Sequence, residues 1–167
     1  VLSTLHTNNA VGAIPRFINL GIESFLIPSS INLVIGQRLV RKLCPECKEK
    51  AKPNQEVSDM ILKELKGLPA DVLKEYGIDL KEISIYKPKG CDKCGQQGYS
   101  GRIGIFEVFE MNDKMAEIIT KDVSEENIKT QGIKEGMILM RQDGFIKVLQ
   151  GITSVEEVIS KTKEGAL

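Results

Sequence analysis

The sequence has no tryptophan, one histidine, three tyrosines and five phenylalanines, and its 23 Lys and Arg residues are balanced by 23 Asp and Glu residues. Without a basic surplus, and with few aromatic rings on which bases could stack, we expect no nucleic-acid partner. No run of about 18 apolar residues is present, which argues against a membrane-spanning helix. The phosphate-binding loop G-x-x-x-x-G-K-[ST] is also missing, so this chain should not hydrolyse a nucleotide alone.

What remains is the composition of a globular protein. The hydrophobic fraction of 41% over 167 residues is enough for one or two modest cores. The chain starts at Val1, without methionine and directly in strand-like sequence. We therefore expect it to be a fragment of a longer protein.

The only four cysteines form two C-x-x-C pairs, Cys44 with Cys47 and Cys91 with Cys94. A two-residue spacer lets both sulfurs of a pair face one point about 2.3 Å away, as tetrahedral zinc requires. Two pairs supply four thiolates, which close a structural site. Bringing the ends of residues 48–90 together costs roughly 3 kcal/mol. A structural zinc contributes on the order of 10 kcal/mol and offsets that cost. We predict one structural zinc per chain.

Two other uses of the cysteines are less consistent with the sequence. Disulfides need an oxidising compartment, and no signal peptide is visible. A thioredoxin-type redox protein uses a single C-x-x-C at the start of a helix, which leaves the second pair unexplained. A stand-alone zinc-binding interaction module remains the alternative to any larger assembly.

Hydrophobic spacing predicts a coarse order of elements. Val1–Leu5 is predicted as the end of a buried strand, and Asn8 or Asn9 as the cap of a helix that Gly21 ends. Residues 22–35 are predicted as a turn and a second buried helix. Further helices are predicted over 56–66, 69–76, 114–120 and 124–141. A last helix begins at the capping box Thr153-x-x-Glu156.

Three strands are predicted over 37–43, 81–87 and 103–111. The cysteine pairs bring Leu43 close to Cys91, so we expect strands 37–43 and 103–111 to pair antiparallel. The zinc insert would then extend from the end of this strand pair.

His6 is the only histidine, in the polar group Thr4-x-His6-Thr7-Asn8. A lone histidine after a strand is commonly a solvated or hydrogen-bonded structural residue. The carboxyl end of a strand is also where α/β sheets bind ligands, and an imidazole and hydroxyls there could bind a phosphate. The same two roles, surface cation or ligand contact, are consistent with Arg16, Arg38 and Arg41.

Four motifs resemble the secretion ATPases, which drive type II secretion and type IV pilus assembly. They are Val1-Leu-Ser-Thr-Leu-His6-Thr-Asn8, Gln37-Arg-Leu-Val-Arg-Lys-Leu-Cys44-Pro-Glu-Cys47, Gly98-Tyr-Ser-Gly101-Arg102-Ile-Gly104-Ile-Phe-Glu107 and Asp143-Gly144-x-x-Lys147-Val-Leu-x-Gly151-Ile-Thr153-x-x-Glu156-Glu157-Val158. They occur in the family's order and cover essentially the whole chain. The four cysteines resemble those of the assembly or export branch.

The resemblance implies an α/β fold: the C-terminal part of a RecA-like P-loop ATPase core, with a tetracysteine zinc insert and a helical C-terminal subdomain. Residues 1–43 would be partial core with the His box, and 44–102 the zinc insert. Residues 103–111 would be a returning core strand, and 112–167 the helical subdomain.

The resemblance also implies site residues, cofactors and partners. The family's γ-phosphate-sensing histidine falls on His6, with Thr4 and Arg16 as nucleotide contacts and Arg38 as a contact to the nucleotide or to a neighbouring subunit. Its zinc ligands fall on Cys44, Cys47, Cys91 and Cys94. The full-length protein would be a cytoplasmic homohexamer that uses ATP and Mg²⁺. It would dock on an inner-membrane platform protein, peripheral to the membrane and not spanning it.

Overall fold

The computed structural model describes residues 1–163, so the end of the predicted 112–167 subdomain lies outside them. Helices and strands are mixed, in agreement with the predicted α/β class. The chain forms two compact units. Among the described residues, the first unit comprises Val1–Gln37 and Phe106–Met140, and the second comprises Arg38–Ile105 and residues 141–163.

Eight α-helices and four strands are present among the described residues. The helices are α1 (Ala13–Asn19), α2 (Ile27–Ser30), α3 (Gln55–Leu65), α4 (Ala70–Glu75), α5 (Asp113–Lys121), α6 (Glu125–Lys134), α7 (Met140–Leu149) and α8 (Val155–Thr162). The strands are β1 (Leu33–Leu43), β2 (Glu49–Ala51), β3 (Ile85–Lys87) and β4 (Tyr99–Glu110). Short 3₁₀ turns lie at Ser24–Leu26 and Asp92–Cys94.

β1 and β4 form a two-stranded sheet. At one end the Met111 N–H donates to the Asn32 carbonyl (2.8 Å), and at the other the Cys44 N–H donates to the Gly98 carbonyl (2.9 Å). The start of each strand therefore lies beside the end of the other, which confirms the predicted antiparallel pairing. β2 and β3 form a second antiparallel pair, in which Lys50 lies opposite Tyr86.

The core of the first unit is built by α1, α5 and α6 with β4. α5 is amphipathic, and its Met115 and Ile119 share one buried face because they are four residues apart. The helix begins where the Asn112 side chain accepts the N–H of Met115 (2.9 Å). The whole cluster comprises Ala10, Val11, Ile14, Ile27, Phe109, Met115, Ile119, Ile128 and Met137.

A buried carboxylate lies in the same unit. Glu107 on β4 is 5% exposed and accepts hydrogen bonds from two backbone N–H groups, those of Ala10 (2.9 Å) and Met140 (3.3 Å). Buried N–H donors need acceptors, and the Glu107 carboxylate is the acceptor both for an N–H just before α1 and for the N–H of the first residue of α7.

Most buried apolar residues of the second unit come from α3, the strands, α7 and α8. α7 and α8 approach closely because Gly144 has no side chain: a Cβ there would lie 2.6 Å from Val158 Cγ1. The apolar residues of this unit that are 5% exposed or less are Val40, Leu43, Cys44, Ile61, Leu65, Ile85, Ile105, Phe145, Ile146, Val148, Val155 and Val158.

The predicted strand at Val1–Leu5 is wrong for this structure. Residues 1–7 form neither helix nor strand, and Val1 and Leu2 are fully exposed. A strand satisfies its N–H and C=O groups on a neighbouring strand, and no strand of the described residues pairs with this segment. Apolar sequence alone does not supply that neighbour.

Several element boundaries also differ from the prediction. The helix predicted over 124–141 is two helices, because Gly136 adopts φ +92° after α6 and α7 begins only at Met140. The predicted cap Thr153 is replaced by Ser154, whose hydroxyl accepts the N–H of Glu157. In residues 22–35 the predicted helix is a single turn, and β1 already begins at Leu33.

Candidate metal centre

The four cysteine sulfurs meet at one point beside the paired strands. Cys44 and Cys47 follow the end of β1, and Cys91 and Cys94 precede β4. Since the end of β1 lies beside the start of β4, the two C-x-x-C pairs face each other. All four Sγ atoms lie within 4.8 Å of one another. The predicted convergence of the cysteines is confirmed.

The spacing of the sulfurs fits a tetrahedral metal ion. The Sγ–Sγ distances are 3.9 Å for Cys44–Cys91, 3.9 Å for Cys47–Cys94 and 3.7 Å for Cys91–Cys94. Four sulfurs about 2.3 Å from a central ion at tetrahedral angles would be about 3.8 Å apart. All four cysteines are free, whereas bonded sulfurs lie about 2.05 Å apart. The donor set is therefore that of a metal site rather than of two disulfides.

Backbone N–H groups already stabilise negative charge at Cys94. Burial alone would raise its pKa, but the N–H groups of Cys91 (3.3 Å) and Gly98 (3.2 Å) point at its sulfur and lower the pKa to about 6. At Cys47, burial raises the pKa to about 11. At neutral pH such a thiol ionises only beside a cation, so metal binding at Cys47 would release its proton.

The turn after Cys94 depends on a glycine. Gly98 adopts φ +76°, and a Cβ there would lie 2.5 Å from Pro88 Cβ. Only glycine therefore allows the backbone to pass Pro88 and direct its N–H to Cys94 while its carbonyl accepts from Cys44.

The loop between α7 and α8, residues 150–154, is hydrogen-bonded to residues on either side of the first cysteine pair. The Leu43 N–H donates to the Ile152 carbonyl (2.8 Å), and Lys48 Nζ donates to the Gly151 carbonyl (2.7 Å). The hydroxyl of Thr153 donates to the Arg41 carbonyl (2.7 Å). These contacts join residues far apart in sequence, and the cysteine spacing gives no indication of them.

The same region holds an ion pair that the sequence did not reveal. The carboxylate of Glu157 on α8 is bound by Arg41 on β1, with Nη2–Oε1 at 2.6 Å and Nε–Oε1 at 2.9 Å. The Arg41 guanidinium also lies 4.1 Å from the centre of the Tyr99 ring. The sequence was consistent with Arg41 as a surface cation or as a ligand contact. In the structure its guanidinium contacts Glu157 and Tyr99.

The residues predicted to contact a nucleotide lie elsewhere. Thr4, His6 and Arg16 are exposed on the first unit, where two turns lead into α1: Thr7 Oγ1 donates to the Asn9 carbonyl (2.9 Å), and Asn9 Oδ1 accepts the Gly12 N–H (2.8 Å). Arg38 is half-buried on β1 in the second unit. Their nucleotide roles stay predictions.

Comparison with known proteins identifies the family. Residues 1–160 match the type II/IV secretion system proteins. The chain belongs to this family. It is 39% identical over 162 residues to the type IV pilus assembly ATPase PilB of Myxococcus xanthus, covering 97% of this chain and 27% of that protein. It is 42% identical over 164 residues to the type II secretion system ATPase E of Vibrio cholerae, covering 98% and 30%.

Family membership confirms the resemblance inferred from the four motifs. The chain spans about three tenths of the length of these curated relatives. Pilus-assembly and secretion relatives match at similar identity, so similarity alone does not choose between the two systems. None of the helices within residues 1–163 combines the length and the apolar character that crossing a membrane requires.

Proposed function

We propose that this chain is the C-terminal part of a hexameric ATPase motor that powers type II protein secretion or type IV pilus assembly. The observation that carries the proposal is the family match over residues 1–160, with relatives named as ATPases of both machines. These 167 residues contain no phosphate-binding loop. ATP hydrolysis would therefore need the rest of the polypeptide, and the chain alone would be inactive.

In this proposal residues 1–43 and 103–111 belong to a RecA-like core. His6 would sense the γ-phosphate of ATP, with Thr4, Arg16 and Arg38 contacting the nucleotide. Support comes from the position of His6 in a motif of the family and from its exposed side chain, which is free to meet a ligand. An imidazole N–H can donate a hydrogen bond to a phosphate oxygen.

The metal in this proposal is zinc, and its role is structural. Four cysteines at tetrahedral spacing leave no open position for water or substrate. Residues 44–102 would thus be an insert whose two ends are held by the ion. A stiffened insert is suited to contact a neighbouring subunit of the hexamer or the inner-membrane platform protein, with the motor on the cytoplasmic side.

The test compares this chain with the complete protein from which it comes. The isolated chain should show no ATPase activity. In the complete hexamer, His6→Ala should abolish most ATP turnover while ADP affinity stays near the parent value, because only the γ-phosphate contact is lost. Ser3→Ala, an exposed neighbour in the same segment, should keep full activity. Full turnover in His6→Ala would overturn the sensing role, and a complete protein that does not hydrolyse ATP would overturn the function.

A further inference from the structure

The second unit carries a polar cavity of about 560 Å³ that the metal centre does not use. β1 and β4 contribute Leu39, Arg41 and Arg102, and α8 contributes Glu157, Ser160 and Lys161. Three of these side chains are cationic and one is anionic. We propose that this cavity is a binding site for a phosphoryl anion.

Arg41 is held ready for such a ligand before it arrives. Glu157, 6% exposed, fixes the guanidinium through Nε and Nη2, and the ring of Tyr99 lies 4.1 Å from its carbon. A guanidinium has five N–H donors, and these two bonds use two of them. The others remain available on a side chain that is 51% exposed, so little rotamer entropy is lost on binding.

Arg102 and Lys161 supply further positive charge, and that of Lys161 also acts on the Glu157 carboxylate through space rather than through an ion pair. Within residues 1–163 neither side chain forms an ion pair or a hydrogen bond, and both are exposed. Glu157, the one carboxylate among the lining residues, is bound to Arg41. The cavity therefore has a surplus of two positive charges.

The chemistry favours a phosphoryl group over other anions. A phosphoryl group presents several oxygens to different sides, so it can accept from Arg41, Arg102 and Lys161 together. The hydroxyl of Ser160 lines the same cavity and already donates to the Glu157 carbonyl at 3.0 Å. A polynucleotide is disfavoured, since the chain has no net positive charge.

The site is separate from the residues assigned to ATP in the proposed function. It uses none of Thr4, His6, Arg16 or Arg38, so it can fail while the motor function stands. A phosphoryl group here can belong to a soluble phosphate ester or to the headgroup of an anionic lipid. The two sources are distinguished by experiment.

The experiment uses the 167-residue chain purified without chelator. Inorganic phosphate is titrated at constant ionic strength, and the backbone amide signals of Arg102 and Lys161 are followed by NMR. Co-sedimentation is then measured with vesicles of phosphatidylglycerol and with vesicles of phosphatidylcholine. Arg102→Ala and Lys161→Ala each remove one cation from the cavity. Lys52→Ala, an exposed lysine that does not line it, is the matched control.

We expect phosphate to cause saturable chemical-shift changes. Each cavity variant should lower the affinity for phosphate roughly tenfold, as expected for the loss of one charge-assisted contact. The control variant should bind phosphate with unchanged affinity. Retention on phosphatidylglycerol but not phosphatidylcholine, lost in Arg102→Ala, would assign the ligand to a lipid headgroup. Phosphate binding without vesicle retention would assign it to a soluble ester. If neither probe binds, or if the cavity variants bind like the control, the proposal is overturned.

Discussion

Glu157 and Arg41 join the last helix to the first long strand by three hydrogen bonds. The Glu157 carboxylate accepts from the Arg41 backbone N–H (2.9 Å), from Nε (2.9 Å) and from Nη2 (2.6 Å). Burial alone would raise the pKa of Glu157, but the hydrogen bonds and the charge of Arg41 lower it below the ordinary carboxyl value. The ionised form is therefore the one that stabilises the fold.

Replacing this carboxylate should destabilise the chain in a pH-dependent way. Glu157→Gln keeps the shape of the side chain but removes its charge. We expect the free energy of unfolding at pH 7 to fall by about 1–2 kcal/mol, a modest loss because Arg41 is half-exposed. A lowered folded-state pKa gives stability that is complete above the unfolded value of about 4.3 and is lost as pH falls toward the folded value. The gap between parent and variant in urea unfolding should therefore be constant from pH 8 to 5 and shrink below that.

Glu156→Gln is the control for this pair. Glu156 is the exposed neighbour on the same helix, and its replacement should change stability by less than about 0.5 kcal/mol. Acid also protonates the cysteines, so the quantity compared is the difference between variants at each pH. A gap that stays constant down to pH 4 would contradict the ion-pair interpretation.

Removing the metal should unfold the second unit. We expect one zinc per chain by elemental analysis, and a strong chelator should release it together with loss of amide protection around Leu43 and Cys44. Cys94→Ser should have the same effect, because a hydroxyl is a poor ligand for zinc at neutral pH.

Zn²⁺ added back should restore protection, and Mg²⁺, which prefers six oxygen ligands, should not. Protein that holds far less than one equivalent of zinc, and that a chelator leaves folded, would rule out the structural metal.

Gly151 and Gly77 give a matched test of the loop between α7 and α8. Their φ angles are nearly equal, +70° and +69°, but a Cβ at Gly151 would lie 2.7 Å from the Tyr86 ring whereas a Cβ at Gly77 meets nothing within 4 Å. Gly77→Ala should therefore lower the free energy of unfolding by only about 1 kcal/mol, because alanine is strained in the left-handed backbone conformation. Gly151→Ala should cost about 1–3 kcal/mol more, because the added methyl clashes with Tyr86. Equal losses in thermal unfolding would show that the loop moves away from Tyr86 freely.

The buried carboxylate of Glu107 should contribute more to stability than the exposed carboxylate of Glu110. Glu107→Gln replaces one acceptor oxygen by an NH₂ group that must face a backbone N–H, either of Ala10 or of Met140. We expect a loss of about 1–3 kcal/mol and faster hydrogen exchange at these two amides. Glu110→Gln on the same strand should leave both unchanged. Unaltered exchange in Glu107→Gln would mean that the two N–H groups find other acceptors.

The sequence predicted those features that local spacing determines. The two sulfurs of a C-x-x-C pair face one point, so the convergence of the four sulfurs and the pairing of the flanking strands followed from four cysteines. The starts of the helices predicted over 114–120 and 124–141 also agree with the structure, in which Asn112 and Ser124 cap α5 and α6.

Features that depend on distant partners were missed. Glu156 and Glu157 are adjacent and chemically identical, and only the fold decides which of them meets Arg41. Glu107 lies in a strand of alternating burial, but a buried carboxylate is unusual without a partner, and its partners are backbone groups that no sequence pattern reveals. The segment Val1–Leu5 has strand-like composition, yet pairing needs a neighbour.

The spacing of the metal ligands also has a consequence for synthesis. Cys44 and Cys91 lie 47 positions apart. A ribosome adding about 5–20 residues per second needs roughly 2–9 s to make the intervening stretch. During that interval only two of the four thiols have been made, which is half of the proposed coordination shell. If the site holds zinc as proposed, the order of translation would make ion capture by the nascent chain a step that cellular zinc supply and oxidants can influence.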